Sequence, residues 1–343
     1  MGPSQSSMAR QVPAYWRWWP YVLAQPVLTI ALFFPDANPF LDAAAVSAFI
    51  LFALARPGSR SWAAWVALAV CIGLASRTAG LQAVVRAFGF SGILVLGFLS
   101  SRPDAARATR DRSQEAVGVC LAIPVIVYVL SLLRGLHPET YDPLLARIDA
   151  WGPPVAWRLA RAVDMNAGFR FVCHVTYIGL PLALVLVGEL ERLRTSRRRS
   201  VFAAATLAAF LGVLAFQLVP ATGPKYAFAG YPGDQPIPGA FGLAAPVQTS
   251  APRNAMPSLH VTWAMLVAWH AARSSWLAGA LGGLFLVLTM LAALATGEHY
   301  LIDLALALPF AIAIGAAMAG HRRVATACFL LVAGTLLAIA FRV

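Results

Sequence analysis

Long apolar runs recur along most of the chain, and short polar segments separate them. The runs are continuous rather than alternating, which favours membrane-spanning helices over the strands of a β-barrel. A span needs roughly 20 residues. The pattern predicts an all-α fold, a polytopic integral membrane helical bundle of about eleven spans. These cover residues 20–35, 40–55, 62–77, 81–99, 116–133, 166–188, 201–219, 258–273, 276–295, 299–319 and 323–341.

Arginines concentrate in alternate loops between these spans. Cytoplasmic loops of membrane proteins carry an excess of basic residues, so these loops and the N-terminus are predicted to be cytoplasmic. The opposite loops, which precede the spans at 258 and 299, then face the extracytoplasmic side. The arginines are Arg10, Arg17, Arg56, Arg60, Arg102, Arg107, Arg110, Arg112, Arg192, Arg194, Arg197, Arg198, Arg199, Arg273, Arg322 and Arg323.

Composition agrees with a membrane protein, since 60% of the residues are hydrophobic, 12% are charged and the mean hydropathy is +0.72. The net charge of +12 comes from the loop arginines. This distribution argues against a nucleic-acid partner. The four cysteines are scattered through apolar segments without metal-ligand spacing, so neither a metal site nor a disulfide is predicted. No cofactor is expected.

Two outer segments are more than simple turns. Residues 134–165 mix apolar and charged positions at helical spacing, which predicts an interfacial amphipathic helix. Residues 220–257 are rich in proline and glycine, and a loop of that length is more often a lid or a binding loop than a connector. Within the span at 276–295, Gly279 and Gly283 have the small-x-x-x-small spacing of closely packed helices.

Two histidines stand at the starts of late spans. His260 follows Ser258, and His299 precedes Asp303 by one helical turn. The 39 positions between His260 and His299 correspond to one passage across a bilayer and back. Both histidines are therefore predicted at one membrane face, where they can oppose each other. Ionisable groups at such positions are costly and are functional candidates by default.

This set of residues suits phosphoryl transfer. Asp303 can orient His299 so that the free ring nitrogen acts as a nucleophile, while His260 donates and accepts protons. Ser258 and the backbone N–H groups beside it can bind anionic oxygens. Arg253, Lys225 and Arg170 are candidates to neutralise phosphate charge, and Tyr300 is a candidate for lining the site.

Plainer interpretations of the same residues remain open. His-x-x-x-Asp also describes a buried histidine satisfied by a carboxylate, and Pro-Ser-x-His also describes a helix start capped by serine. Arg170 also fits a side chain that extends along the membrane to reach water, and Tyr300 also fits the aromatic belt of a membrane interface.

The segments Asn254–His260 and Gly297–Asp303 resemble motifs of the type-2 phosphatidic acid phosphatase superfamily. The resemblance covers residues 116–320 and is nearest to the branch of the fungal inositol phosphorylceramide synthases, or inositolphosphotransferases. It implies a six-helix core with His299 as nucleophile, Asp303 as its orienting partner and His260 as general acid and base. Residues 1–115 are then accessory transmembrane helices, 116–320 the catalytic core and 321–343 an extra C-terminal span.

The phosphate-binding motifs of family phosphatases are altered. Lys225 is not followed by their Arg-Pro pair, Leu259 replaces a glycine, and Ala293-Leu294 replaces a Ser-Arg pair. The resemblance therefore favours a membrane-embedded lipid phosphotransferase that moves a headgroup through a phosphohistidine intermediate. The alternative is a lipid phosphate phosphatase of the phosphatidate or polyprenyl phosphate type.

The expected partners are a membrane lipid substrate and, as acceptor, a lipid alcohol, a soluble alcohol or water. The expected location is a bacterial inner membrane, with the active site facing the periplasm. A proton-coupled transporter is a less favoured interpretation, because the chain lacks the paired inverted repeats of that class. An intramembrane serine protease is disfavoured because Ser258 lacks flanking glycines.

Overall fold

A computed structural model describes most of the chain from Pro39 onwards. The described residues are 39–54, 59–75, 81–101, 126, 129–130, 132–194, 200–234, 245–246 and 251–341. They form thirteen α-helices and one two-stranded sheet. The predicted span at 20–35, most of the predicted span at 116–133, and the arginines at 10, 17, 56, 102–112 and 197–199 lie outside the described residues.

The helices are α1 (Pro39–Leu54), α2 (Ser59–Ala75), α3 (Leu81–Ser101), α4 (Asp142–Asp149), α5 (Val155–Met165), α6 (Ala167–Ile178), α7 (Leu180–Arg194), α8 (Val201–Leu218), α9 (Pro224–Ala227), α10 (Leu259–Ser274), α11 (Trp276–Ala295), α12 (Leu301–Ala319) and α13 (Arg322–Ala340). A short 3₁₀ helix occupies Arg134–Leu136. Strands β1 (Glu139–Thr140) and β2 (Ala245–Pro246) pair in antiparallel register, which attaches the proline-rich loop to the segment before α4.

Four of these helices, α8, α11, α12 and α13, are long and apolar enough to cross a membrane. A fifth span is obtained if α6 and α7, which meet at an angle of 53°, form one bent span. Shorter apolar segments lie in α1, α2 and α3. The helical membrane-protein class is thus supported, whereas the count of eleven spans and the six-helix core are not confirmed.

Helix α10 lies at the centre of the bundle and packs against α7, α8, α11 and α12. The contact with α11 is close because Gly279 and Gly282 face it. A Cβ on either glycine would lie within 3 Å of a Cα atom of α10. The predicted pairing of Gly279 with Gly283 is wrong at its second position, since Gly283 faces open space and the contact continues at Gly282.

The first three helices form a subassembly that packs on α7 through α1. Arg86 of α3 donates to Asp42 of α1 at 2.7 Å, and the arginine is almost fully buried. Trp62 and Trp65 of α2 make edge-on and stacked ring contacts with phenylalanines of α1 and α3. A buried charge needs such a partner to offset its lost hydration. The accessory role of this region remains a prediction.

The predicted amphipathic segment contains two helices rather than one. Helix α4 packs against α9 and α12 and buries its first five residues, and α5 packs on α11 with Ala160 and Val163 buried. Pro153 and Pro154 separate them. Proline lacks the N–H that a continuous helix needs, so the chain turns here. Helix α4 is thereby positioned over the N-terminus of α12.

Candidate active site

The N-termini of α10 and α12 meet, and this junction brings together the residues of both motifs. Ser258 is the N-cap of α10 and its backbone N–H donates to the carbonyl of Asp303 at 3.3 Å. His260 lies in the first turn of α10, and His299 lies two residues before α12. Their ring centroids are 6.2 Å apart, so the fold brings the two histidines together.

The Nδ1 atom of His299 donates to the carbonyl of Ala255 at 2.9 Å. A carbonyl can only accept, so this bond places the ring proton on Nδ1 and leaves Nε2 without one. Burial lowers the pKa of His299 to about 4, against an opposing effect of Glu298 and of the Ala255 carbonyl. The ring is therefore neutral near pH 7, and Nε2 carries a free lone pair.

Asp303 is fully buried beside this ring, with its Oδ2 atom 3.5 Å from Nδ1 of His299. The same oxygen accepts the backbone N–H of Tyr300 at 2.9 Å and caps the first turn of α12. Sequence reasoning assigned the tautomer-setting hydrogen bond to Asp303. In the structure the shorter contact is the carbonyl of Ala255, because Asp303 is drawn towards the helix N-terminus that it caps.

The Nε2 side of His299 contacts two hydroxyl groups. Ser258 Oγ lies 3.2 Å away and Tyr177 Oη lies 3.5 Å away, both longer than a typical O–H donor distance. The Tyr177 ring also stacks on His260, with centroids 3.9 Å apart and planes 14° from parallel. The nucleophile candidate is therefore oriented firmly through Nδ1 and only loosely held at Nε2.

Tyr177 was missed by sequence reasoning. It lies in α6, more than 80 positions from either histidine, and only the folded chain brings it near them. The available signal was a phenol near the end of an apolar helix, a position where a buried hydroxyl requires a partner.

Tyr300 does not extend towards His299. Its hydroxyl donates to Oδ1 of Asp142 at 2.8 Å, and its ring is almost fully buried. Burial raises the pKa of Tyr300, and the Asp142 carboxylate raises it further, so the phenol keeps its proton. Tyr300, a predicted substrate-binding residue, thus anchors the loop that carries His299.

Asp142 is a buried carboxylate that gathers donors from the neighbouring Thr140 and from two distant segments of the chain. It accepts from the hydroxyls of Thr140, Thr222 and Tyr300 and from the backbone N–H groups of Thr222 and Gly223. The donor–acceptor distances range from 2.5 to 3.1 Å. These bonds satisfy the carboxylate and hold the loop before α9 against α12.

Asp149 lies seven positions further along α4, on the same face of the helix. Its two carboxylate oxygens accept the N–H groups of Leu301 at 2.6 Å and Ile302 at 3.1 Å. A carboxylate at a helix N-terminus satisfies groups that have no partner within the helix and interacts favourably with the helix dipole. Burial raises the pKa of Asp149, and these two N–H groups lower it. Helix α4 therefore fixes the start of α12 at two points.

Lys225 lies next to the loop that carries His299. Its amine is paired with Glu298, and its backbone N–H donates to the carbonyl of Gly297 at 3.0 Å. Burial lowers the pKa of Lys225, but the carboxylate of Glu298 outweighs this effect and the net change is upward. Gly223 has a φ of 97°, and a Cβ there would lie 2.1 Å from the Glu298 carbonyl oxygen. Glycine at this position permits the close approach that places Lys225 near the site.

The two arginine candidates have different surroundings. Arg253 is buried and donates to the carbonyls of His137 at 3.1 Å and Ala251 at 2.5 Å. Arg170 is exposed on α6 and its guanidinium lies 3.5 Å from the carbonyl of Asp164. The contacts seen for both arginines are thus with backbone oxygens, and a role in substrate binding remains a prediction.

A family model described as the PAP2 superfamily matches residues 145–319. This segment contains α5 to α12 and both histidines, and it makes up half of the chain. The chain belongs to the PAP2 superfamily. It is therefore a phosphatase-type phosphoesterase by family, and its apolar helices suggest a membrane protein. No curated protein and no solved structure gave a match.

This membership agrees with the superfamily resemblance of the sequence motifs, while the inositol phosphorylceramide synthase branch is not confirmed. The matched segment begins within α4, later than the predicted core boundary at residue 116, and ends at the last residue of α12. Helix α13 therefore lies beyond the family segment.

Proposed function

We propose that this PAP2 superfamily member is a membrane-embedded lipid phosphotransferase that works through a phosphohistidine at His299. The observation that supports the proposal is the protonation state and orientation of the His299 ring. His299 is buried and neutral, its Nδ1 is committed to the Ala255 carbonyl, its Nε2 contacts the hydroxyls of Ser258 and Tyr177, and the His260 ring lies 6.2 Å away between centroids. A nucleophile needs this combination of fixed orientation and a free lone pair.

The proposed reaction has two steps. Nε2 of His299 attacks the phosphorus of a lipid phosphoester, the phosphorus–oxygen bond to the leaving alcohol breaks, and His260 gives that oxygen a proton. An acceptor alcohol then attacks the phosphohistidine, His260 takes its proton, and the bond from phosphorus to Nε2 breaks. Ser258 Oγ and the N–H groups at the start of α10 bind the phosphoryl oxygens. Asp303 holds the loop of His299 by capping α12.

Transfer is preferred over hydrolysis for two reasons. The phosphate-binding motifs of family phosphatases are altered at the positions of Lys225 and Leu259. The His299 side chain is also only 3% exposed, and a site that excludes water protects a reactive intermediate from hydrolysis. The acceptor is proposed to be a lipid or a soluble alcohol.

An extracytoplasmic site in a bacterial inner membrane completes the proposal. Five of the six described arginines of the basic loops lie at the ends of α7 and α10 and at the start of α13, opposite to the end that carries His299, and the sixth, Arg60, lies in α2. Arg194 of α7 donates to the carbonyl of Ser274, which joins two of these basic ends. The positive-inside rule supports a cytoplasmic position for them and a periplasmic position for the site.

The second candidate is a lipid phosphate phosphatase acting on phosphatidate or a polyprenyl phosphate, with water as acceptor. Membership of a phosphatase superfamily is the observation in its favour. The two candidates share the first chemical step and differ in the acceptor.

The test is a panel of lipid phosphomonoesters and phosphodiesters, each incubated with the purified protein with and without lipid and soluble alcohols. Mass spectrometry identifies the products. We expect exchange products to exceed hydrolysis products when a suitable alcohol is present. Predominant hydrolysis with every acceptor supplied would establish the phosphatase instead, and absence of turnover from every substrate would refute both.

A further inference from the structure

An apolar groove runs between α4, α12 and α13. Its volume is about 640 Å³, and its apolar wall is formed mainly by Leu144, Ile148, Ile302, Leu330, Leu331 and Gly334. Leu330 and Leu331 are 68% and 58% exposed, so the groove opens sideways along α13. Within the membrane this opening faces the lipid phase.

The upper end of the groove lies at the same end of the bundle as the active site. Tyr141, which precedes α4, donates its hydroxyl to the carbonyl of Ala340 near the end of α13 at 3.4 Å. Ile302 lines the groove three positions after His299, and its backbone N–H is held by Asp149. The groove is therefore lined by the first turn of α12, which directly follows the loop that carries His299.

Two side chains that line the groove suit the binding of a lipid. Arg147 of α4 lines it and is exposed, so its charge faces the occupant and solvent. Trp151 lies beside it and is 82% exposed, a position typical of the interface between headgroups and acyl chains. A cation above an apolar channel complements a lipid that has an anionic headgroup.

The geometry points to a binding site for one acyl chain of the lipid phosphoester substrate, with Arg147 beside its anionic headgroup. This inference rests on the proposed function. The groove extends along α13 from Leu330 to Ile339, which is about 13 Å at the rise of an α-helix. Helix α13 lies outside the family segment 145–319, so this chain adds half of the groove to the family core.

Gly334 provides the means to fill the groove without disturbing the fold. A Cβ at Gly334 would meet no atom within 4 Å, and the same holds for Gly283 of α11, which does not line the groove. Both are helical glycines in apolar helices. Gly334→Phe therefore obstructs the groove, and Gly283→Phe is the matched control.

The binding test uses a phosphatidic acid with a diazirine in an 18-carbon acyl chain, in phosphatidylcholine nanodiscs, with labelled peptides mapped by mass spectrometry. We expect the probe to label α4 and α13. Excess dioleoyl phosphatidic acid should suppress this labelling, whereas excess dihexanoyl phosphatidic acid should not. Gly334→Phe should reduce it about fivefold, while Gly283→Phe leaves it unchanged. Equal, uncompeted labelling of α11 and α13 would overturn the proposal.

The turnover test compares long-chain and six-carbon forms of the lipid class that the substrate panel identifies. Gly334→Phe should lower kcat/KM for the long-chain form about fivefold and leave the short-chain value unchanged. Equal loss on both forms, or specific labelling without a change in long-chain turnover, would contradict a substrate site. Absence of turnover in the unmodified protein would refute the proposed function, whereas labelling reports acyl binding independently.

Discussion

Two buried polar clusters lie side by side at the start of α12, and they are built in opposite ways. The Asp142 cluster consists of Asp142, Thr140, Thr222, Gly223 and Tyr300, and its carboxylate accepts five donors. The His299 cluster consists of His299, Ser258, His260, Tyr177 and Asp303. At Nε2 of His299, the contacts are two hydroxyls at 3.2 and 3.5 Å.

The difference separates a group that holds structure from the group that we propose as the nucleophile. A buried carboxylate with full hydrogen bonding is expensive to rearrange, and it fixes whatever donates to it. A nucleophile must instead keep an available lone pair. Its hydrogen-bond partners must be weak enough for the substrate to displace them. Neighbouring residues on one loop serve the two purposes, since Tyr300 donates to Asp142 while His299 faces Ser258.

The largest expected effect comes from removing the reactive nitrogen. His299→Gln should reduce kcat by at least about 10³-fold, since it removes the nitrogen that attacks phosphorus in the proposed first step. Its unfolding temperature in detergent should stay close to that of the unmodified protein. His174→Gln, at an exposed position of α6, is the control and should retain full turnover. Turnover by folded His299→Gln would exclude a phosphohistidine at this residue.

The second-largest expected effect comes from a substitution that disrupts the Asp142 cluster. Asp142→Asn removes the negative charge and turns an amide N–H₂ towards donors, which should cost about 2–4 kcal/mol of unfolding free energy. Thermal unfolding in detergent measures the loss, and Asp164→Asn, at an exposed carboxylate, is the control. Activity should also fall because Tyr300 loses its anchor. If Asp142→Asn unfolds at the same temperature as Asp164→Asn, the cluster does not hold the site.

The smallest expected effect comes from removing the Tyr177 hydroxyl from the His299 cluster. Tyr177→Phe keeps the ring that stacks on His260 and removes only the hydroxyl near Nε2, so kcat should fall roughly 2- to 10-fold. Tyr177→Leu removes the ring as well and should lower kcat further, with KM changed less than kcat. Identical kinetics for the two variants would show that stacking on His260 contributes nothing to catalysis.

The late helices were predictable from the sequence because long apolar runs and capping serines define them. The predicted span at 276–295 coincides with α11, that at 201–219 ends one residue after α8, and that at 258–273 begins and ends one residue before α10. Ser200, Ser258 and Ser275 each accept a backbone N–H at the start of a helix. The outer segment was less predictable, since an amphipathic pattern does not reveal where two adjacent prolines divide it.

The proximity of His260 and His299 was predictable from the length of a membrane span, because two spans return the chain to one face of the membrane. The orientation of the Tyr300 side chain was not predictable, since its partner Asp142 lies 158 positions away in the sequence. Lys225 was predicted as a phosphate ligand, but in the folded chain its charge is paired with Glu298. Pairing of this kind depends on the close approach of the loops at Gly223, which no local pattern encodes.

The Asp142 carboxylate also has a consequence for biogenesis. During synthesis Asp142 emerges 80 positions before Thr222 and 158 positions before Tyr300. Its last donor therefore becomes available only when α11 has already been made and α12 is about to follow. The loop that carries His299 can therefore gain its anchor on Asp142 only after helices α4 to α11 have been synthesised.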